Sequence, residues 1–522
     1  MKNRFLKTAY QLDTYTENGA LSHSTTGSAL LDYFSKCGTY RNRKAEEVAA
    51  DMGALWNESP ELALKIIFYN RLITRQNKGF SATENVQKGQ GNRSEFRQAI
   101  AWSARYRSQN FYQNLWLVPV CGTWKDLWHA DLIDELDQFK VFELIQQGLS
   151  DEYNRDLLAK YLPRIRSKSN TFNERHERLN RFAFALIKYL GWTPVSYRKF
   201  KAAGKAHTFQ QHLSQGTTDR LEFNTIPGKA LFQMVNNKGK DGLNTMERAG
   251  LDKRYLDWIT AQPTAKFTGY VYELMKNVNT SMSLAQAYTL NKQFDGLIEL
   301  AQRDQSIREN VWCALDTSGS MLTPVADTTA YDICISLGVY FATLNEGAFK
   351  DHVVLFDSHS ELKQLSGDFI DKVLQITKGK TAWGNTNFMS VIEEIVRTRQ
   401  QQPDIPVEDF PTTLLVVSDM QFDPAGTNVQ SNYQVAMQKL RAVGLPEIRI
   451  VWWWVTGRGG DFTNKLDDQG VVLISGFDGA ILSSLLGEEP AAEKSTGKRQ
   501  QQTAYESMLQ ALDQEILNQI KI

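Results

Sequence analysis

Residues 311–320 read Val-Trp-Cys-Ala-Leu-Asp-Thr-Ser-Gly-Ser, an apolar run that ends in a loop of oxygen-bearing side chains. Nearly continuous apolar runs of this kind are typical of strands that are buried on both faces of a parallel sheet. Helical patterns, such as the one from Tyr331 to Leu344, separate this run from later ones. The alternation predicts a doubly wound, Rossmann-like α/β domain with helices on both faces of its sheet. The later runs are His352 to Phe356, Thr413 to Ser418, Ile448 to Val455 and Val471 to Ile474.

One predicted strand contains three consecutive tryptophans, Trp452, Trp453 and Trp454. Side chains alternate between the two faces of a strand, so neighbouring indole rings must point in opposite directions. The run therefore predicts sheet core that packs against flanking helices, rather than a platform on which a ligand stacks.

The chain before residue 305 has a different pattern. From about residue 28 to 300 the apolar residues recur mostly at helical spacing, as they do from Leu179 to Leu190. Turn-forming stretches such as Gly191 to Pro194 separate segments of ordinary helix length, which predicts a stack of helical hairpins. A polar segment follows Leu486, and helical spacing returns near the end of the chain. We therefore predict a helical domain at 1–305, an α/β domain at 306–487, and a linker with a docking helix at 488–522.

The composition limits the classes of protein to which the chain can belong. Its 522 residues, 42% hydrophobic and 23% charged, fit a globular protein of two or three domains. The formal net charge of zero removes any argument from bulk basicity for nucleic-acid binding. The four cysteines form no CxxC pair, which disfavours a zinc site or a disulfide framework. Since no apolar segment reaches membrane-spanning length, we expect a soluble, cytoplasmic protein without a membrane partner.

The loop after Leu315 carries a candidate metal site. Asp316, Ser318 and Ser320 alternate in a glycine-containing loop at the carboxyl end of a predicted strand, where α/β sheets bind ligands. Thr386 opens a predicted helix, and Asp419 closes another predicted strand. Five hard oxygen ligands with only two carboxylates suit Mg²⁺ or another divalent cation. An isolated DxSxS could equally be a serine-capped turn, but the threonine and the second aspartate in this order favour the metal.

Residues 311–455 resemble a von Willebrand factor A (VWA) domain with a metal-ion-dependent adhesion site, since these five residues match its DxSxS, Thr and Asp elements. Further motifs occur at Thr16 to Ala20, Leu30 to Phe34, Gly89 to Arg93, Trp124 to Leu127, Tyr197 to Phe200 and Ile226 to Ala230. With these motifs the whole chain resembles an uncharacterised family of plants, fungi and viruses that is similar to the TROVE-domain proteins of the Ro autoantigen class. This resemblance implies a ring of HEAT-like helices that is closed by the VWA domain.

The resemblance also implies RNA as a partner, because Ro-like proteins hold small structured RNAs and the ends of misfolded RNAs. In this chain the positive charge is concentrated between Arg155 and Lys205, where it could neutralise several phosphates. Aromatic residues lie among these charges and could stack on unpaired bases. The alternative is that the cations form a solvated helix face and that the aromatic residues belong to the core. The candidate RNA contacts are Arg164, Arg166, Lys168, Arg175, Arg178, Arg198, Lys199 and Lys201, and the candidate stacking residues are Tyr161, Phe172, His176 and Tyr197.

These observations predict an RNA-binding scaffold or chaperone for small non-coding RNA, acting as a ribonucleoprotein with a Mg²⁺-binding VWA domain and without DNA specificity. One alternative is a protein-binding adaptor without RNA, in which a partner's carboxylate completes the coordination of the metal. A weaker alternative is a metal-dependent hydrolase, against which stands the lack of a second carboxylate cluster or general base. Because the sequence contains no Walker loop, nucleophile elbow or Ser-His-Asp order, we do not expect an enzyme.

Overall fold

The computed structural model describes residues 13–41, 43–76, 86–130, 132–167, 172–204, 208–303, 310–378, 384–424, 432–457, 461–479, 481 and 502–522. The chain packs into two compact units. The sheet unit comprises Met1–Tyr40 with Phe223–Ala511, and the helical unit comprises Arg41–Glu222 with Leu512–Ile522. The predicted domain boundaries at residues 305 and 487 were placed where the sequence pattern changes, and they differ from the boundaries of these two packed units. They stay predictions.

The described strands are short, and the helices are mostly of ordinary length. The strands are β1 (Asp13–Tyr15), β2 (Leu21–His23), β3 (Ile73–Gln76), β4 (Val86–Gln90), β5 (Val311–Asp316), β6 (Pro324–Val325), β7 (Thr328–Thr329), β8 (His352–Phe356), β9 (Ser360–Gln364), β10 (Thr413–Ser418), β11 (Arg449–Trp454) and β12 (Val471–Ser475). The helices before β5 are Ala29–Cys37, Ala45–Glu58, Pro60–Arg71, Ser94–Tyr106, Ser108–Gln113, Leu117–Cys121, Gln138–Leu149, Glu152–Tyr161, Glu174–Tyr189, Pro194–Ala203, Thr208–Gln215, Gly228–Asn236, Thr245–Arg248, Asp252–Ala261, Val271–Met275 and Leu284–Arg303. Those after β5 are Ala330–Leu344, Phe369–Thr377, Phe388–Gln401, Asn432–Ala442 and Ala504–Leu512. Within the described ranges, none of the helices combines the length and hydropathy that a membrane crossing requires.

The sheet unit contains a six-stranded mixed sheet of order β12-β11-β10-β5-β8-β9. All neighbouring pairs from β12 to β8 are parallel, and β9 pairs antiparallel with β8. A helical first part and a sheet in the second part are confirmed, and the sheet is mixed rather than parallel throughout because β9 runs antiparallel to β8. The doubly wound arrangement with helices on both faces stays a prediction. The edge strand β9 was not predicted, because its side chains are exposed or half-buried and form no continuous apolar run.

The tryptophan run lies in the core of this sheet, as predicted. All three indole rings are fully buried in β11. The ring of Trp452 contacts Phe388 and Phe422, whereas the ring of Trp453 contacts Phe341. The indole nitrogens donate to buried oxygens, Trp452 to Asn464 Oδ1 at 2.8 Å and Trp453 to the carbonyl of Gly476 at 2.8 Å. The indole nitrogens of Trp452 and Trp453 are therefore satisfied inside the protein, and all three rings contribute to packing.

A close approach of two backbone segments in the sheet unit explains the glycine that starts helix Gly228–Asn236. A Cβ atom on Gly228 would lie 2.0 Å from the carbonyl oxygen of Lys266. The side chain of Gln293 ties the two segments together, since its Nε2 donates to the carbonyls of Gly228 at 3.0 Å and Lys266 at 3.2 Å. Only glycine leaves room for this contact.

We therefore expect Gly228→Ala to lower the free energy of unfolding by about 1–3 kcal/mol, the usual cost of forcing extra volume into packed structure. Gly53→Ala is a matched control, because Gly53 lies inside helix Ala45–Glu58 and a Cβ atom there would meet nothing within 4 Å. That control should raise the free energy of unfolding by about 0.5–1 kcal/mol through helix propensity. Urea unfolding measures both, and equal stability of Gly228→Ala and the wild type would contradict the close approach.

Candidate metal centre and basic surface

The order of the strands places a crevice between β5 and β10. The chain leaves β5 towards β8 on one side, and later leaves β10 towards β11 on the other side. Where the winding of an α/β sheet reverses in this way, the loops at the carboxyl ends of the two strands separate and bind ligands. Asp316 ends β5, and Asp419 directly follows β10. The two predicted carboxylate ligands therefore flank the switch point of the sheet.

The loop after β5 holds the carboxylate of Asp316 in a network of hydrogen bonds. Asp316 is fully buried. The backbone N–H of Ser318 donates to its Oδ1 at 2.9 Å, and the hydroxyl of Ser418 donates to its Oδ2 at 2.5 Å. The hydroxyl oxygens of Ser318 and Ser320 are 3.1 Å apart. Ser320 itself is exposed, so this side of the loop faces solvent.

The loop after β10 brings Asp419 to the same place. Asp419 is buried, and the nearby hydroxyl of Ser320 acts to lower the pKa of its carboxyl group. Its neighbour Met420 has a φ of 67°, a left-handed conformation that is uncommon for a residue with a side chain and that often occurs at functional sites. The N–H of Met420 donates to Ser418 Oγ at 2.9 Å, which links this turn to the hydroxyl that contacts Asp316.

Thr386 lies in a third loop that joins the other two. The N–H of Gly319, in the first loop, approaches the carbonyl of Gly384 at 3.4 Å. The N–H of Asp423, which follows the Asp419 turn, donates to the carbonyl of Thr386 at 2.9 Å. Thr386 is buried. Side-chain hydrogen bonds and charge thus bring Asp316, Ser318, Ser320 and Asp419 together, and backbone contacts place Thr386 in the adjoining loop.

The electrostatics of the two aspartates favour a bound cation. Burial raises the pKa of Asp316 most, and the charge of Asp419 raises it further, although hydrogen bonds from Ser318 and Ser418 act in the opposite direction. Burial also raises the pKa of Asp419. Two buried carboxylates that repel each other resist ionisation unless a positive charge compensates them. A divalent cation would supply that charge, so the residues present fit such an ion.

The oxygen ligands available here are carboxylates and hydroxyls. Within the ranges that the structure describes, no group of three or more His, Cys, Asp or Glu side chains is placed to hold a metal. A site formed by Asp316, Asp419 and the hydroxyls of Ser318, Ser320 and Thr386 would leave coordination positions for water or for an external oxygen. Mg²⁺ accepts such a ligand set, because it keeps several waters and needs few protein charges.

Two features of the site were not predicted from the sequence. One is Ser418, whose hydroxyl positions Asp316. The other is the turn between β1 and β2, which packs against the Asp419 loop. Thr16 Oγ1 donates to the carbonyl of Phe422 at 2.6 Å, and Asn18 Nδ2 donates to the carbonyl of Gln421 at 2.6 Å. These residues are separated from the loop by about four hundred positions, so no local signal could have linked them.

The predicted RNA contacts lie in the helical unit, and most of them are exposed. Lys168 lies outside the described residues. Arg178 makes ion pairs with Glu174 at 2.6 Å and with Asp134 at 3.4 Å, so carboxylates already balance its charge. Tyr197 is fully buried and donates to the carbonyl of Pro163 at 2.7 Å. The prediction that Tyr197 stacks on a base is therefore wrong, because the ring belongs to the core. The exposed candidates are Arg164, Arg166, Arg175, Arg198 and Lys199.

Lys201 has a structural role at the end of helix Glu152–Tyr161. Its Nζ donates to the last carbonyls of that helix, Ala159 at 2.7 Å and Lys160 at 3.0 Å. A lysine at this position also interacts favourably with the negative end of the helix dipole. Burial, followed by the nearby charges of Arg164 and Lys125, lowers the pKa of Lys201 to about 8. We therefore assign Lys201 first to the helix end rather than to a phosphate.

Cations surround the ring of Tyr161 at the same helix end. The ammonium groups of Lys125 and Lys160 lie 4.8 Å and 5.2 Å from the centroid of the ring. Both lysines are exposed, as is Arg164, while Tyr161 is half-buried. We call Tyr161, Lys125, Lys160, Arg164 and Lys201 the Tyr161 cluster. It combines a ring that a base could stack on with cations that phosphates could contact.

Comparisons with known proteins cover both parts of the chain. Residues 311–520 match a family described as "Domain of unknown function (DUF7788)", and residues 16–181 match one described as "Domain of unknown function (DUF2828)". The chain is 22% identical over 524 residues to "Uncharacterized protein L728" of Acanthamoeba polyphaga mimivirus, which covers 91% of this chain and 85% of that relative. Among solved structures it is similar to the Ro (RSR) protein of Deinococcus radiodurans, with 13% identity, a TM-score of 0.39, and coverage of 88% of this chain and 98% of that one. The candidate metal centre thus falls within the first matched region.

Proposed function

We propose that this protein is an RNA-binding scaffold or chaperone for small non-coding RNA, which also binds Mg²⁺ through a VWA-type domain. The observation that carries the proposal is the Tyr161 cluster, in which exposed cations surround a half-buried aromatic ring. The sequence resemblance to TROVE-domain proteins supports it, and the ring of helices that this resemblance implies stays a prediction. The proposal includes a cytoplasmic location, no DNA specificity and no catalytic activity.

The charge distribution supports a polyanionic partner. The chain as a whole has a formal net charge of zero, yet Lys125 and Lys160 both lie at the Tyr161 ring, and the exposed Arg164 follows that ring by about three positions in the chain. Each cation that contacts a phosphate releases counterions, which is the main source of affinity in nucleic-acid binding. Because the cations surround an aromatic ring, the surface fits unpaired nucleotides better than it fits a uniform duplex backbone.

A second candidate function is a protein-binding adaptor, and the openness of the metal centre favours it. The buried aspartates Asp316 and Asp419 hold the inner side of the site, whereas Ser320 is exposed on its outer side. An ion held there could accept a carboxylate from a partner protein as its last ligand. This function would need the metal but not the Tyr161 cluster.

Purification of the full-length protein tests the two functions. RNA binding predicts a raised ratio of absorbance at 260 nm to that at 280 nm, which ribonuclease but not deoxyribonuclease removes. Sequencing of the released RNA would then identify its class. If the protein carries no RNA and binds none that is added, while it captures a partner protein only in the presence of Mg²⁺, the adaptor function replaces the scaffold.

A further inference from the structure

A pocket of about 390 Å³ lies in the helical unit beside the Tyr161 cluster. Its volume is within the range of about 300–1,000 Å³ that small-ligand sites occupy. Four aromatic residues line it, and polar groups lie among them. The aromatic residues are Trp116, Trp124, Tyr153 and Tyr161.

The wall of the pocket is held in place by specific contacts. The indole N–H of Trp124 donates to Asn154 Oδ1 at 3.1 Å, and Asn154 Nδ2 donates to Asp151 Oδ1 at 2.9 Å. Helix Gln138–Leu149 approaches the Trp124 ring so closely that a Cβ atom on Gly148 would lie 2.8 Å from it. The ring therefore has a fixed orientation before any ligand binds, which reduces the entropy that binding costs.

Two cations lie beside one wall of the pocket, which is also lined by the carboxylate of Asp151. Tyr161 lines the pocket and is also the ring over which the ammonium groups of Lys125 and Lys160 lie. Arg164 is exposed and lies just beyond the end of helix Glu152–Tyr161. A ligand with a flat aromatic part and an adjacent negative charge would meet both features at once. A nucleotide within a single-stranded RNA has this combination.

We infer that this pocket takes an unpaired base of a single-stranded RNA, with the adjoining phosphates at Lys125, Lys160 and Arg164. The inference rests on the proposed RNA-binding function and names the part of the RNA that the helical unit recognises. Every base has a π-face, so stacking in the pocket should tolerate different sequences. A fully paired duplex keeps its bases stacked and should bind more weakly than a single strand.

Substitution of Tyr161 tests the pocket directly. The probe is a fluorescein-labelled single-stranded RNA of twelve nucleotides, measured by fluorescence anisotropy with the full-length protein. Tyr161→Leu should weaken binding roughly 5- to 150-fold, the range for loss of one stacked base. Tyr161→Phe keeps the ring and should stay within about twofold of the wild type. The dependence of affinity on salt should be the same for both variants, since neither removes a phosphate contact.

Further variants and ligands separate the possible outcomes. Tyr153→Ala replaces a ring on the pocket wall that is 55% exposed, and it should also weaken binding if Tyr161→Leu fails to fold. If the wild type binds the RNA and both the Tyr161→Leu and Tyr153→Ala variants bind it equally well, the pocket is not the base site, while the proposed function stands. If the wild type binds no RNA, both proposals fail.

Other ligands test what occupies the pocket. Equal affinity for adenosine monophosphate and for the twelve-nucleotide strand would show that the occupant is a free nucleotide, which would overturn the inference. The inference would also be overturned if poly-glutamate of equal charge displaced the RNA and Tyr161→Leu did not change the affinity for RNA. The occupant would then be an acidic protein.

Discussion

The variant Asp316→Ala is expected to bind no Mg²⁺ at concentrations that saturate the wild-type protein. Asp316 and Asp419 would be the two anionic ligands at the switch point between β5 and β10, so the variant keeps only one carboxylate beside neutral hydroxyl oxygens. Asp316→Asn should have nearly the same effect, because an amide retains the shape but not the charge. Isothermal titration calorimetry measures the loss.

The fold of these variants can be checked independently of metal binding. Burial and the charge of Asp419 disfavour the ionised form of Asp316 by raising its pKa, so its removal eliminates an unfavourable buried charge. The asparagine variant also keeps an acceptor for the hydroxyl of Ser418. We expect both variants to unfold cooperatively in the absence of Mg²⁺.

Mg²⁺ should raise the melting temperature of the wild type but not that of the two Asp316 variants, since a ligand that binds only the folded state stabilises it by about 2.7 kcal/mol at one hundred times its dissociation constant. The control Asp404→Ala removes an exposed carboxylate from the loop that leads into β10, at the opposite end of that strand from Asp419. It should behave like the wild type. An Asp316→Ala protein that titrates with Mg²⁺ as the wild type does would show that the metal centre is assigned to the wrong residues.

The second large effect concerns RNA and salt. We expect simultaneous replacement of Lys125, Lys160 and Arg164 by glutamine to reduce the slope of log affinity against log salt by about two units. This value follows from three phosphate contacts and a coefficient of about 0.7 per contact for single strands. The sequence alone favours Arg164, Arg166 and Lys168 for this test, but Lys168 lies outside the described residues. Lys125 and Lys160 lie beside the Tyr161 ring.

A matched control changes the net charge by the same amount elsewhere. Lys140, Arg248 and Arg303 are cations that already pair with carboxylates, and glutamine at all three should leave the slope nearly unchanged. Asp316→Ala should also leave it unchanged. Equal slopes for the two triple variants would mean that overall charge, and not the Tyr161 cluster, controls binding. If loss of the metal site abolished RNA binding while the cluster variant bound normally, the contact surface would be the metal loop.

Much of the sheet unit was determined by the sequence itself, because the relevant signals are local. A strand buried on both faces must be apolar at nearly every position, so β8 and β10 could be predicted from their composition. The DxSxS loop directly follows such a strand, and the rule that ligands bind at the carboxyl ends of strands then brings Asp316 and Asp419 together. The burial of the tryptophan run follows in the same way from the alternation of side chains along β11.

Other features were decided only by the tertiary structure, because they depend on which distant segments pack together. Tyr197 and Tyr161 both lie among basic residues in the sequence, yet one ring is buried in the core and the other lines a pocket, according to the helix face that each occupies. The ammonium group of Lys201 donates to the last carbonyls of helix Glu152–Tyr161, which lie about forty positions earlier in the chain. The turn at Thr16 contacts the Asp419 loop, although 406 positions separate Thr16 from Phe422 in the chain. Periodicity and motif spacing describe neighbours in sequence, and none of these contacts is between such neighbours.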